Sequence, residues 1–264
     1  MTNLVVVNKR QIQIKYQISN KVARNCMSTL KCIAHRGGPL ANNQPLPENS
    51  LAAIARALDL GVYAIEIDIY QVEGELVVTH DRRLGKLVSG QGIINELPLA
   101  YLREQRLENG ERLPVLREVL ALVADRALLN IEIKGPNCVS ALATNLTEFC
   151  RDHQHSYDQY AVSSFDHLQL YQCLQVMPQV RRGVLIEGIP LDYALCCSAL
   201  QAYSFNTHLG FLSPDLLSDA RKRGLQNWVY TVNHPDDWAW LKNLGVDAVF
   251  TDKPDELLAF NQRC

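Results

Sequence analysis

The 264-residue sequence has no apolar run long enough to cross a bilayer and no strong excess of charge of either sign. A membrane-spanning helix needs about 20 predominantly apolar residues in succession. The sequence therefore predicts a chain without a stable membrane anchor. Its 26 lysines and arginines stand against 28 aspartates and glutamates. This balance argues against a basic surface for nucleic acid.

The eight cysteines include no CxxC pair and no spacing typical of a zinc site. Residues 1–26 lack the long apolar core of a secretory signal. We therefore expect reduced cysteines in a cytoplasmic protein. The same residues contain five basic and no acidic side chains, and an organellar transit peptide is one interpretation of them. The favoured interpretation is an extension outside the native protein, with Met27 opening a domain over 27–264.

No glycine-rich phosphate loop follows the first apolar run, which disfavours a doubly wound open sheet. From Cys32 onward, short apolar runs alternate with amphipathic stretches of helical length. The runs predict strands at about 32–35, 62–70, 128–134, 159–164, 180–186, 202–206, 227–232 and 247–251. The stretches predict helices near 49–60, 115–124, 138–152, 166–175, 191–200, 214–223, 235–243 and 254–261. Eight strand–helix units in a chain of this length favour an α/β protein with a (β/α)8 barrel. Residues 81–112 interrupt the alternation and predict a small insertion after the second strand.

The run AIEIDIYQ, residues 64–71, has two carboxylates among its isoleucines. Side chains alternate faces along a strand, so Glu66 and Asp68 share one face and the isoleucines share the other. Two like charges on one face repel each other unless a cation lies between them. The run LLNIEIKG repeats the pattern with Glu132 and Lys134. The carboxyl ends of barrel strands meet at one rim, so three carboxylates there predict a site for Mg²⁺, Ca²⁺ or Mn²⁺.

Other chemically active side chains also fall at strand ends. His35 and Arg36 end the first strand, and His80 ends an extension of the second. Two histidines beside a metal can serve as general acid and general base near neutral pH. Arg36 and Lys134 add positive charge suited to a phosphate. Polar residues also end the seventh and eighth predicted strands: Thr231, Asn233, Thr251 and Asp252.

Several of these residues also have a purely structural interpretation. Glu132 and Lys134 taken alone are more simply a buried ion pair. His35 and His80 taken singly are more often structural histidines. Trp228 is a strand residue that we expect either in the core or facing the barrel mouth.

Taken together, the residues resemble the glycerophosphodiester phosphodiesterase family. The matching words follow the order IAHRGG, PENS, AIEIDIYQ, VVTHD, SGQG, LPVLREVL, NIEIKG, VYTVN and VFTDKP, and they extend from residue 33 to residue 254. Any one word is weak evidence. Nine in the expected order make the match specific.

The resemblance implies metal-dependent hydrolysis of small glycerophosphodiesters to sn-glycerol 3-phosphate and an alcohol. It implies a divalent cation held by Glu66, Asp68 and Glu132, with His35 and His80 as general acid and base. The residues implied to bind substrate are Arg36, Lys134, Glu48 and Trp228. The sequence leaves the oligomeric state open.

Two departures from the family pattern bear on specificity. The spacer PLANNQPL between HRGG and PENS is longer than usual, and Lys86, Leu87 and Val88 replace an Arg-Thr-Thr segment. Both departures put the preferred alcohol in question. The alternatives to small-diester hydrolysis are a lysophospholipase D-like lipid phosphodiesterase, a catalytically silent barrel that only binds a phosphodiester, and a phosphate-binding isomerase or aldolase barrel.

Overall fold

The computed structural model describes residues 29–263. The predicted extension, residues 1–26, and the start at Met27 lie outside this range and are not tested. Within it, no helix combines the length and the apolar character needed to cross a bilayer.

Eight parallel strands close into a barrel, which confirms the predicted (β/α)8 fold. They are β1 (Lys31–Ala34), β2 (Ala64–Val72), β4 (Leu128–Ile133), β5 (Tyr160–Ser164), β6 (Arg181–Ile186), β7 (Ser204–His208), β8 (Gln226–Tyr230) and β9 (Ala248–Thr251). Each strand pairs with the next barrel strand in the chain, and β1 pairs with both β2 and β9. The remaining strand, β3 (Glu75–Val78), pairs antiparallel with the end of β2 after a turn at Glu73 and Gly74.

Nine α-helices of four residues or more accompany the strands in the described range: α1 (Leu51–Leu60), α2 (Leu99–Glu104), α3 (Leu116–Val123), α4 (Cys138–His153), α5 (His167–Val176), α6 (Cys196–Ala199), α7 (Pro214–Lys222), α8 (Pro235–Asn243) and α9 (Pro254–Arg263). The helix predicted over 191–200 is reduced to the single turn of α6. Ser50, Asp166 and Ser213 cap α1, α5 and α7 with side-chain oxygens.

Strand β2 shows how the barrel places its polar residues. Ile65, Ile67 and Ile69 pack in the main core between the strands and the helices. The alternate residues face the barrel interior, where a smaller apolar cluster of Ile33, Ala64, Leu128, Ala161, Trp228, Ala248 and Phe250 fills the lower levels. Glu66 and Asp68 lie above Ala64 on this inner face. The apolar packing on both sides thus aims the carboxylates at the rim.

The segment between β3 and α3 forms the small excursion expected near residues 81–112. It has its own apolar cluster, which includes Leu84, Val88, Ile94 and Leu102 and packs on Val77 of β3. Short antiparallel bridges tie it together, among them Val88 to Leu107. The segment therefore packs against the β2–β3 hairpin, next to the barrel rim where the carboxylates lie.

Candidate active site

Three carboxylates converge at the carboxyl ends of β2 and β4. Asp68 lies opposite Glu132 in the strand register, and Glu66 lies one inward-facing level below. Oxygens of Glu66, Asp68 and Glu132 all lie within 4.8 Å of one another. Glu66 and Asp68 are each only 1% exposed. The predicted ligand set is thus brought together in one buried group.

The electrostatics of this group call for a cation. Burial, with Asp68 and Glu132 nearby, raises the pKa of Glu66 well above its usual value. Burial and the Asp68 charge raise the pKa of Glu132 to about 7. Glu66 Oε1 is buried and has no hydrogen-bond partner among residues 29–263. An unpartnered buried carboxylate oxygen is costly, so the residues present fit a hard divalent cation with oxygen ligands.

A tight turn after β1 brings the backbone and the side chain of Arg36 close to the carboxylates of Glu66 and Asp68. Arg36 has a left-handed φ of 52°, and its backbone N–H donates to Glu66 Oε2 at 2.9 Å. The turn needs the glycines of the HRGG word because a Cβ on Gly38 would lie 2.5 Å from Cγ of Pro254. The glycines of this motif thus allow the turn after β1 to lie close to α9, the helix that begins at Pro254.

The Arg36 guanidinium bridges two acids. Its Nη1 donates to both oxygens of Glu48 at 3.0 Å, and its Nε lies 3.4 Å from Asp68 Oδ2. Burial acts to lower the pKa of Arg36, but Asp68 and Glu48 outweigh it, so the net shift is upward. Glu48, predicted as a substrate-binding residue, therefore lies beside the carboxylates in contact with Arg36.

Asn49 is a site residue that the sequence reasoning missed. Its Nδ2 donates to Asp68 Oδ2 at 2.9 Å, and its Oδ1 accepts from the Asp68 backbone N–H at 3.2 Å. Asn49 adopts a left-handed φ of 59°, which asparagine tolerates better than most residues. The PENS word, whose third residue is Asn49, is the signal in the sequence that points to it.

His35 is held by the last strand of the barrel. Its Nδ1 lies 2.7 Å from Asp252 Oδ1. Asn233 Nδ2 donates to the other Asp252 oxygen at 2.6 Å, and Asn233 Oδ1 accepts from the Asp252 N–H and from the Thr251 hydroxyl. The polar residues at the ends of β8 and β9 thus form a chain that fixes the ring of His35 through Nδ1, and its Nε2 has no hydrogen-bond partner within residues 29–263.

His80 has a similar arrangement on the other side. Its Nδ1 lies 3.2 Å from Asp81 Oδ1, and Lys86 lies 3.4 Å from the second Asp81 oxygen. Tyr70 donates to the His80 carbonyl at 3.3 Å. Burial, together with the charges of Arg36 and Lys134, lowers the pKa of His80. Near neutral pH this ring is therefore uncharged.

Lys134 completes the positive charge at the rim. Its Nζ donates to Glu132 Oε1 at 2.9 Å and lies 5.7 Å from the centre of the Phe165 ring. Burial acts to lower the pKa of Lys134, but Glu132 and Asp68 raise it by more. The ion pair between Glu132 and Lys134, which was the structural alternative, is therefore present. Because Glu132 is one of the three clustered carboxylates, the pair is part of that cluster.

Trp228 requires a correction, because the structure does not place it at the mouth. It is fully buried in the barrel interior, with its ring 5.9 Å from the rings of both Tyr203 and Phe250. Tyr230, two residues later on the same face, lies higher; it donates to the Ile186 carbonyl at 2.9 Å and meets the half-exposed Phe165 edge to face. The aromatic side of the rim is thus formed by Tyr230 and Phe165.

A cleft of about 540 Å³ opens on the opposite side, next to His35 and Arg36. One wall is the loop of residues 39–47, which contains the long PLANNQPL spacer. The other comes from the insertion, through Leu87, Glu108 and Asn109. Both departures from the family pattern therefore meet at this cleft.

Comparison with known proteins identifies a family. Residues 35–256 match the model of the glycerophosphoryl diester phosphodiesterase family. A glycerophosphodiester phosphodiesterase of Caldanaerobacter subterraneus subsp. tengcongensis is 29% identical over 242 residues, which cover 88% of this chain and 97% of that protein. Glycerophosphodiester phosphodiesterase 1 of Bos taurus is 32% identical over 278 residues, covering 87% of this chain and 82% of that protein.

Solved structures give the same picture. An Oleispira antarctica phosphodiesterase in complex with the product sn-glycerol-3-phosphate superposes with a TM-score of 0.78 at 26% identity. The match covers 88% of this chain and 96% of that one.

Proposed function

The chain belongs to the glycerophosphoryl diester phosphodiesterase family, and we propose that it hydrolyses glycerophosphodiesters with His35 and His80 around a divalent cation. The enzyme class is a phosphoric diester hydrolase that releases sn-glycerol 3-phosphate and an alcohol. One observation carries the assignment of roles. Both histidines engage an aspartate through Nδ1 at the rim that holds the three buried carboxylates.

We assign Glu66, Asp68 and Glu132 as the residues that hold the cation, Mg²⁺ or Ca²⁺, with Mn²⁺ a further candidate. The bound ion supplies neutralisation and orientation of the phosphate oxygens. Asn49 fixes the orientation of Asp68. Arg36 and Lys134 add donors and positive charge for the phosphate, which keeps an anionic diester in the site.

The two histidines move the protons. His80, which is neutral near pH 7 because burial lowers its pKa, takes the proton of the attacking hydroxyl on its Nε2. The new O–P bond forms as the P–O bond to the alcohol breaks. His35, held by Asp252, gives its proton to the departing oxygen. The nucleophile is either water or the glycerol 2-hydroxyl; the latter gives a cyclic phosphate that water then opens.

A cytoplasmic location fits this role, and the support for it is chemical. The cysteines in residues 29–263 are free thiols, a state that a reducing compartment would maintain.

The test measures release of glycerol 3-phosphate from glycerophosphocholine and glycerophosphoethanolamine. The protein is first treated with EDTA and then given Mg²⁺, Ca²⁺ or Mn²⁺. We expect release only with metal restored. Release unaffected by EDTA would remove the cation from the proposal. Cleavage of lysophosphatidylcholine alone would favour the lipid-directed alternative, and a folded protein without any turnover would favour the silent barrel.

A further inference from the structure

The cleft beside His35 is lined half by apolar and half by polar residues. Six of its lining residues are proline or leucine: Pro39, Leu40, Pro45, Leu46, Pro47 and Leu87. Asn109 is the single uncharged polar side chain in the lining. The proline and leucine side chains provide no hydrogen bonds for the hydroxyl groups of a sugar or polyol, and leaving those hydroxyls unpaired is unfavourable. They suit methyl and methylene groups instead.

The charge of the cleft is negative. Three carboxylates, those of Glu48, Glu108 and Asp252, outnumber the guanidinium of Arg36 and the protonated ring of His35. Glu48 is paired with Arg36, and Asp252 with His35. Glu108 is exposed and has no ion pair or side-chain hydrogen bond within residues 29–263. Its charge is therefore available to a ligand.

The position of the cleft decides which arm of the diester it receives. One of its lining residues is His35, the residue assigned to protonate the departing oxygen. Lys134, assigned to the phosphate, and Tyr230 do not line the cleft, and their side of the rim is left for the hydroxyl-bearing glycerol arm. The departing alcohol thus lies on the side of His35, between the 39–47 loop and the insertion.

We propose that this cleft selects alcohols bearing a cationic nitrogen, such as choline, and that Glu108 is the residue that determines this specificity. The inference rests on the proposed function. Methylene and N-methyl groups contact the proline and leucine walls, while the Glu108 carboxylate attracts the positive charge. A hydroxyl of an uncharged polyol alcohol can hydrogen-bond to Glu108, but the polyol lacks the ionic attraction, and its other hydroxyls lie unpaired against the proline and leucine walls. Leu87 and the long spacer, which set this chain apart from the family pattern, build the walls.

The test compares steady-state kinetics on two substrates, glycerophosphocholine and glycerophosphoglycerol. The departing alcohol is cationic in the first and uncharged in the second. The proteins are the wild type, Glu108→Gln and a matched control, Glu104→Gln, which alters another exposed glutamate of the insertion outside the cleft. We expect the wild type to favour the choline ester. In Glu108→Gln, KM for that ester should rise roughly twofold to fivefold with kcat unchanged, as for loss of one exposed charge pair. Kinetics on glycerophosphoglycerol should stay the same, and Glu104→Gln should match the wild type on both.

Several results would overturn the inference. A wild type without preference for the choline ester would do so, as would an equal change on both substrates in Glu108→Gln. An effect of Glu104→Gln as large as that of Glu108→Gln would reduce the cause to the general charge of the insertion. Turnover of neither substrate by the wild type with metal present would count against the proposed function itself, which separates the two failures.

Discussion

Asn49 and Asp68 exchange two hydrogen bonds, one between their side chains and one from the Asp68 backbone to the Asn49 amide. The pair joins the loop before α1 to the inner face of β2. It fixes both the rotation of the Asp68 carboxylate and the position of its main chain. A cation held by Asp68 therefore depends on a residue that does not itself present a carboxylate.

We predict that Asn49→Gly weakens binding of Mg²⁺ by roughly 10- to 100-fold, the range found when a residue supporting a metal ligand is removed. Glycine is the appropriate replacement because it adopts the positive φ of position 49 without strain. Isothermal titration with Mg²⁺ measures the effect. Asn42→Gly is the matched control, since Asn42 also has a positive φ of 58° but is exposed. Equal affinities in both variants would assign Asn49 to loop structure alone.

The metal-free protein should lose stability as pH rises from 5 to 8. Glu132 has its pKa raised from 4.5 to about 7 in the folded protein. The native state therefore keeps a proton that the unfolded chain has lost. The stability this provides is complete below about pH 4.5 and is lost as pH rises through about 7, with a magnitude on the order of 2 kcal/mol.

Urea unfolding in EDTA at several pH values checks this dependence, with Glu132→Gln as the comparison. The amide keeps the shape of the protonated acid without titrating. Glu132→Gln should flatten the pH dependence, and added Mg²⁺ should stabilise the wild type far more than the variant. Parallel pH profiles for the two proteins would contradict the burial-driven shift at Glu132.

Asp252→Asn should lower kcat by roughly 100-fold or more while the protein stays folded. The amide cannot serve as an anionic partner for the His35 ring, so the ring loses its fixed tautomer and orientation. Nitrogen NMR of the His35 side chain reports the tautomer directly, and kcat reports the consequence. Lys253→Gln is a suitable control, because it removes a neighbouring charge that pairs with Glu256. An unchanged tautomer together with unchanged kcat would remove Asp252 from the positioning role.

Trp228 and Tyr230 should respond differently to substitution. Trp228→Phe is expected to cost roughly 1–3 kcal/mol of unfolding free energy, because it leaves a cavity in the barrel interior, with little change in KM. Tyr230→Ala should instead raise KM, since it opens the aromatic side of the rim. Urea denaturation and steady-state kinetics on one diester distinguish the two. A higher KM in Trp228→Phe at full stability would place Trp228 at the substrate after all.

Much of the site could be read from local patterns. The two-residue spacing of Glu66 and Asp68 identifies a shared face, and the strand alternation identifies the rim. Pairings between distant segments have no local signature. The partner of His35 lies 217 residues away in the sequence, and nothing near either residue marks the contact.

The misplacement of Trp228 has a related cause. Alternation shows that Trp228 and Tyr230 share the inner face of β8, but it does not show the height of each residue in the barrel. That height depends on the stagger between neighbouring strands, which is fixed by pairings such as Asn206 with Trp228. Sequence alone does not give this stagger.

The contact between His35 and Asp252 links catalytic activity to the completion of folding, because His35 is fixed only when this contact has formed. It forms only where β1 meets β9, the pairing that closes the barrel. A partly folded chain in which β2 and β4 are paired but β1 and β9 are apart would still bring the three carboxylates together, because Glu66, Asp68 and Glu132 all lie on β2 and β4. Such an intermediate would be expected to take up the cation without hydrolysing anything. During refolding, metal uptake should then precede the return of catalysis. The delay between the two would measure how long β1 takes to pair with β9.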